Sequence, residues 1–460
     1  MEFIMLILSI LLLLLLITKF KLNTFVSLVI TAIVLALLLG MNPSKIPDAV
    51  LGNQGMGNIL GSNAVIFIFG GMIGRLVADA GGSYRIAKTL IAWFGLKRLQ
   101  WAVLLASFII GISMIFGVGM VLLIPIVFAV AIEAGVPLLY LGVSMTAALS
   151  SAQGFLPPQP APTAVASQLN ANIGLMLLVG LFVSVITAVV AGPVFTKLAQ
   201  KYAPDAFKFK EHIEAVGDVK EYDLDKTPSF GLSVLTSVFP LVFMIIATIY
   251  KLVVTGGKTP KNPDAVYQVI DFLANPAIAM TISLVLAIFT MGIMQKRDMK
   301  TVGTSLNEGM NAVSGILLIV GGGGALRGVL VTSGMSAKIA DLFQSSGSMS
   351  PITIVLFAWA VASLLRIAVG SATVAGITAV GVVNGILAAN PHGDMLLVLV
   401  ALAIGAGSLI ASHVNDAGFW IFKEFFDLTV KQTFQIWTVL ETVISITGLI
   451  LILILTAVFV

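Results

Sequence analysis

The run LILSILLLLLLI at residues 6–17 holds no charged side chain and no alternation of apolar and polar positions, and similar runs recur along the whole chain. A helix needs roughly 20 predominantly apolar residues to cross the hydrocarbon core of a bilayer. Inside lipid, every backbone donor and acceptor must be satisfied within the protein. Apolar segments fall at 3–18, 22–39, 59–80, 99–116, 121–136, 138–151 and 173–195. A second set lies at 232–255, 273–294, 311–333, 352–369, 373–389, 395–411 and 436–460. Transmembrane β-barrels alternate with period two, and these segments do not. Of the 460 residues 58% are hydrophobic and 10% charged, against about a quarter charged in a soluble chain. The expectation is an all-α polytopic membrane protein with about 12–14 apolar segments.

The same residues exclude several classes. Cysteine is absent, so disulfides, thiol nucleophiles and cysteine metal sites are ruled out. No HExxH motif and no acidic cluster suggests a metal, and no cofactor is expected. The net charge of +4 is scattered, with no basic block suited to nucleic acid. The N-terminal MEFIMLILSI has an acid and no basic leader, so it reads as a first span rather than a signal peptide.

A polar stretch at 197–230 separates a first transmembrane half, 1–196, from a second, 231–460. Basic residues near span ends favour the cytoplasm. Placing the N-terminus outside puts the polar stretch and 18 of the 25 basic residues on one face, so both termini are expected to be extracytoplasmic and the stretch a cytoplasmic linker. Seven crossings per half would insert the second half upside down. A duplication is visible: GGMIGRLVADAGGSYRIAKTL (70–90) resembles GGALRGVLVTSGMSAKIADLF (323–343) at an offset of 253. The same offset relates Gly117 to Gly370 and Arg85-Ile86-Ala87 to Lys338-Ile339-Ala340. Inverted repeats with interrupted helices are a mark of secondary transporters. Two inverted-topology repeats are therefore expected, with 121–151 and 373–411 as candidate re-entrant hairpins.

Each half is interrupted twice, at IFGVGM (115–120) and SSAQGFLPPQPAPTA (150–164), then at RIAVGSATVAG (366–376) and ASHVNDAGFW (411–420). Proline breaks helix interiors. Such a run inside the membrane is expected to be non-helical backbone lining a polar cavity, with Gly117, Pro157, Gly370 and Asn415 meeting there. A helix restarted after a break offers unpaired N–H groups and a positive dipole end to a carboxylate. The glycines at 321–324 lack the ending of a phosphate loop and suit close helix packing. YRIAKTLIAWFGLKRLQW (84–101) mixes basic and aromatic residues, as an interfacial helix does.

The segments QGFLPPQPAPTAVA, LRIAVGSATVAGITA and SHVNDAGFWIFKEFFDLTVKQTF resemble signature segments of the gluconate permease family, proton-coupled symporters of the ion-transporter superfamily. The resemblance runs over essentially the whole chain. It implies import of gluconate or a related sugar acid with a proton across the plasma membrane of a prokaryote. Within that frame, Arg366 is a cation inside an apolar segment, able to attract the carboxylate or to pair with an acid. Ser371, Thr373, Gln153, Gln159, Thr163, Ser151 and Asn415 are candidates for the substrate's oxygens, each with helix capping or packing as the structural alternative. His413 and Asp416 are candidates for the coupling proton, with Asp416 also suited to cap a helix near Gly418. Glu133 is the reserve, expected at a surface, and His212 and His392 read as solvated loop residues. Sodium coupling, another hydroxy-carboxylate or amino acid, a channel and an intramembrane enzyme are the competing readings. The expected partners are the small carboxylate, the coupling ion, membrane lipid and, as an assembly open to such a chain, a second copy in a homodimer.

Overall fold

A computed structural model describes residues 2–95, 98–210, 223–255, 264–335, 349–389, 393–414 and 416–460. The described residues form helices joined by short turns, with no strand among them. The first eleven helices are α1 Glu2–Thr18, α2 Thr24–Leu38, α3 Ile46–Leu51, α4 Met56–Asp79, α5 Gly82–Phe94, α6 Leu99–Ser113, α7 Phe116–Ala134, α8 Leu138–Phe155, α9 Pro160–Leu169, α10 Ile173–Val189 and α11 Phe195–Tyr202. After the polar stretch come α12 Phe230–Thr255, α13 Ala265–Ala274, α14 Pro276–Ala287, α15 Met299–Thr332 and α16 Pro351–Val369. The chain ends with α17 Ala372–Ala389, α18 Asp394–Gly407, α19 Ala417–Phe425, α20 Val430–Thr433 and α21 Val439–Phe459. Every apolar segment expected from the sequence is helical over most of its length. Among the described residues, eight helical stretches are long and apolar enough to cross a membrane by length and composition, and α1, α2, α6, α13, α17 and α18 hold shorter apolar helices.

Local chemistry sets the helix starts. The Asn23 side chain accepts from the Phe25 amide at 2.9 Å, Asn172 from Leu175 at 3.0 Å and Asp298 from Thr301 at 2.9 Å. Each satisfies a donor that the first turn leaves unpaired. Pro276 and Pro351 occupy first helical positions behind Asn275 and Ser350, where a missing N–H costs nothing.

Three expectations need correction. The proline run is broken only at Leu156–Gln159; Pro160 and Pro162 lie in the first turn of α9, where proline's fixed φ suits a helix. The amphipathic stretch 84–101 is not one helix, because Gly95 takes φ +66 and ends α5 before α6 begins at Leu99. The apolar segment at 311–333 is the second part of a longer helix, α15, whose polar start is capped by Asp298. Asn415, His212, His392 and the Lys338-Ile339-Ala340 step lie outside the described residues.

α4 packs along α15 through reciprocal backbone contact. A Cβ on Gly71 would stand 2.5 Å from the Gly309 carbonyl oxygen, and one on Gly309 would stand 2.6 Å from that of Gly71. Small residues let membrane helices approach this closely. The 321–324 run does the same work, its faces filled by Leu60, Leu28, Ile377 and Ile59. Arg75 and Asp79 on α4 join Glu308 and Ser305 on α15 at one end of this pair.

Candidate functional site

Four helices restart after a break, and the breaks are what assemble the site. α6 gives way to α7 at Met114–Ile115, α8 to α9 at Leu156–Gln159, α16 to α17 at Gly370–Ser371, and α18 to α19 across 408–416. At the third, Gly370 takes φ +77, a conformation that side chains other than glycine's resist.

Residues from three of these breaks line one cavity of about 430 Å³. This falls within the ~300–1,000 Å³ typical of small-molecule sites. Its wall includes Gly117, Gln153, Arg366, Ser371, Thr373 and Asp416, drawn from both sides of the polar stretch. Arg366 is 3% exposed. Its Nη1 donates to the Gly370 carbonyl and its Nη2 to Asp416 Oδ2, while Nε has no acceptor among the described residues. A buried charge stripped of water must be paired, and Asp416 supplies the pair. The same carboxylate accepts from Ser412 Oγ and, at 2.9 Å, from the Gly418 amide as the cap of α19. Ser412 in turn accepts from Trp437 Nε1 at 2.7 Å, and the Trp437 ring stands 5.5 Å from that of Phe116. The Gln153 side-chain oxygen is buried without a partner among the described residues.

The other sequence candidates lie apart from this wall. Ser151 faces α10, where Thr187 Oγ1 donates to it at 3.2 Å. Gln159 Nε2 donates to the Gly111 carbonyl at 2.6 Å and to that of Met114 at 2.8 Å, closing the end of α6. It borders a separate pocket of about 70 Å³ beside Arg75 and Glu308. Thr163 is fully buried on α9, its hydroxyl without a partner among the described residues. His413 Nε2 lies 3.1 Å from the Ile367 carbonyl, outside the cavity lining. Glu133 is exposed at the end of α7.

Among the lining residues that were not anticipated are two on the last helical stretch, Glu441 and Trp437. Glu441 carried a readable signal: it is the one charged residue between Gln432 and Val460, and an ionisable group within a span marks function by default.

Comparison with known proteins follows the same lines. The sequence profile described as GntP family permease matches residues 1–458. The gluconate permease of Bacillus subtilis is 48% identical over 451 residues, covering 98% of both chains. The Gnt-II system L-idonate transporter of Escherichia coli is 42% identical over 449 residues, covering 97% of both. In fold, the chain is similar to the YdaH transporter of Alcanivorax borkumensis, with a TM-score of 0.61 at 15% identity over 95% of this chain and 97% of that one. Relatives that are permeases and transporters set the intramembrane enzyme aside. With a match from end to end and spans to accompany it, this multi-pass membrane protein belongs to the GntP family of permeases.

Proposed function

We propose that the chain imports gluconate or a closely related six-carbon sugar acid, together with protons, across the plasma membrane of a prokaryote. The observation that carries this reading is Arg366, buried beside a cavity of about 430 Å³ where α17 begins. A carboxylate seated there meets a guanidinium and the first amides of a helix together, the pairing that gives short, strong contacts. Ser371, Thr373 and Gln153 on the same wall suit the hydroxyls of the chain behind it, because amides and hydroxyls both donate and accept. The names of the relatives support the substrate class: gluconate and L-idonate are both six-carbon polyhydroxy monocarboxylates.

For the transport cycle, the two halves, 1–196 and 231–460, are proposed as inverted repeats that rock about the cavity, joined by 197–230 on the cytoplasmic side. The offset of 253 supports the repeat, since it carries the last residue of α4, Asp79, onto the last residue of α15, Thr332. The proton is proposed to ride on an ionisable side chain, for which the sequence offers Asp416, on the cavity wall, and His413, outside it.

Uptake of labelled gluconate into proteoliposomes, under a proton gradient or a sodium gradient separately, tests the reading. Accumulation driven by protons, competed by L-idonate and not by glucose, is expected. Equal competition by glucose would mean that the carboxylate is not read. Accumulation under sodium alone would replace the coupling ion, and equilibration without accumulation would indicate a channel.

A further inference from the structure

Three ionisable side chains line the cavity among the described residues: Arg366, Asp416 and Glu441. Arg366 and Asp416 are bound to each other, and the Asp416 carboxylate is held further by Ser412 and the Gly418 amide. Glu441 stands differently. It is 1% exposed, on the first turn of α21, and its Oε1 has no hydrogen-bond partner among the described residues. The Ser150 hydroxyl on α8 hydrogen-bonds to its carboxyl group.

We infer that Glu441 is the group that carries the coupling proton, with Asp416 serving as the fixed counter-ion of Arg366. The inference rests on the proposed import of a sugar acid with protons and names the residue that links the two. Its basis is charge balance. With Glu441 ionised, the cavity holds two carboxylates against one guanidinium and repels an entering anion. With Glu441 protonated, the cavity is neutral and Arg366 can receive the substrate carboxylate. The step is one proton added to the Glu441 carboxylate on the outer side and given up on the inner side, with no other bond made or broken. Anion and proton then favour each other's binding by the same factor, as linkage requires.

The surroundings leave the role to this residue. α16 presents Arg366, and the turn before α19 presents Asp416. The sequences of α8 and α10 contain no charged residue. The acid of α18, Asp394, is its first residue, whereas Glu441 lies by that helix's other end, where the Ala411 amide donates to Thr442 at 3.2 Å.

The test counts protons on binding, using the purified full-length chain in detergent and gluconate as the probe. In weakly buffered solution the wild type is expected to take up about one proton per gluconate bound. Its affinity then falls about tenfold per pH unit on the alkaline side of the Glu441 titration. Glu441→Gln is expected to bind gluconate with pH-independent affinity and no proton uptake. In proteoliposomes it should exchange gluconate but fail to accumulate it. Glu441→Asp should restore the pH dependence with a displaced midpoint, which keeps the question answerable if the glutamine variant does not fold. Proton uptake and accumulation unchanged in Glu441→Gln would overturn the inference and leave the sugar-acid reading intact. Loss of proton uptake in Asp416→Asn alone, with binding retained, would place the proton on Asp416 instead. A wild type that does not bind gluconate would defeat the reading on which the inference rests, a result distinct from either of these.

Discussion

Arg366 holds two structural partners and faces the cavity at once, so its replacements separate charge from geometry. Lysine keeps the charge but is a point donor without the planar fork that reaches both the Gly370 carbonyl and Asp416. Arg366→Lys is therefore expected to raise the KM for gluconate by at least about tenfold, the equivalent of one charge-assisted hydrogen bond of ~1.5–3 kcal/mol. Unchanged KM would remove the arginine from the binding site. Gln159 makes the opposite case. Its amide nitrogen closes carbonyls at the end of α6, so Gln159→Leu should lower stability by about 1–3 kcal/mol through unsatisfied buried acceptors. Thermal unfolding in detergent measures that loss, and the affinity of the surviving protein for gluconate should stay as it was. The sequence marked both residues as polar in an apolar setting. It did not separate them, because the difference is which helix end each side chain reaches, a property of tertiary packing.

Elements repeat that division between what is local and what is not. Where a segment is apolar from its first turn its start was legible: those expected at 22–39 and 173–195 begin within two residues of α2 and α10, capped by Asn23 and Asn172, whereas α15, capped by Asp298, starts twelve residues before the expected 311 because its first turns are polar. The extent of the proline run was not legible, since Pro160 is equally at home in a turn or at a helix start. Glu441 was readable but passed over, as one acid in a long apolar segment does not disturb the pattern that identifies a span. The contact of α4 with α15 gives a prediction at this scale. A side chain at Gly309 meets the Gly71 carbonyl oxygen at 2.6 Å, so Gly309→Val should destabilise the protein by about 1–3 kcal/mol through overpacking. Gly315 on the same helix has no atom within 4 Å of an added Cβ, and Gly315→Ala should leave the unfolding temperature equal or higher. Equal effects at the two positions would show that the close approach does not limit stability.

For the whole molecule, the membrane class followed from apolar runs alone, and the cavity required the fold. Gln153 and Arg366, more than two hundred positions apart, share one wall. The cysteine-free sequence also makes topology measurable, because a single introduced cysteine reports without background. Cysteines placed at either terminus are expected to react with an impermeant maleimide on intact cells, and one placed in the 197–230 stretch only after permeabilisation. The reverse pattern would overturn the proposed orientation. The central claim, that this cavity reads the carboxylate of a sugar acid, is tested most directly by determining the structure with gluconate bound. The account predicts density in the larger cavity, with the carboxylate within hydrogen-bonding reach of Arg366 at the start of α17. Gluconate seated instead in the smaller pocket beside Arg75 and Gln159 would contradict it.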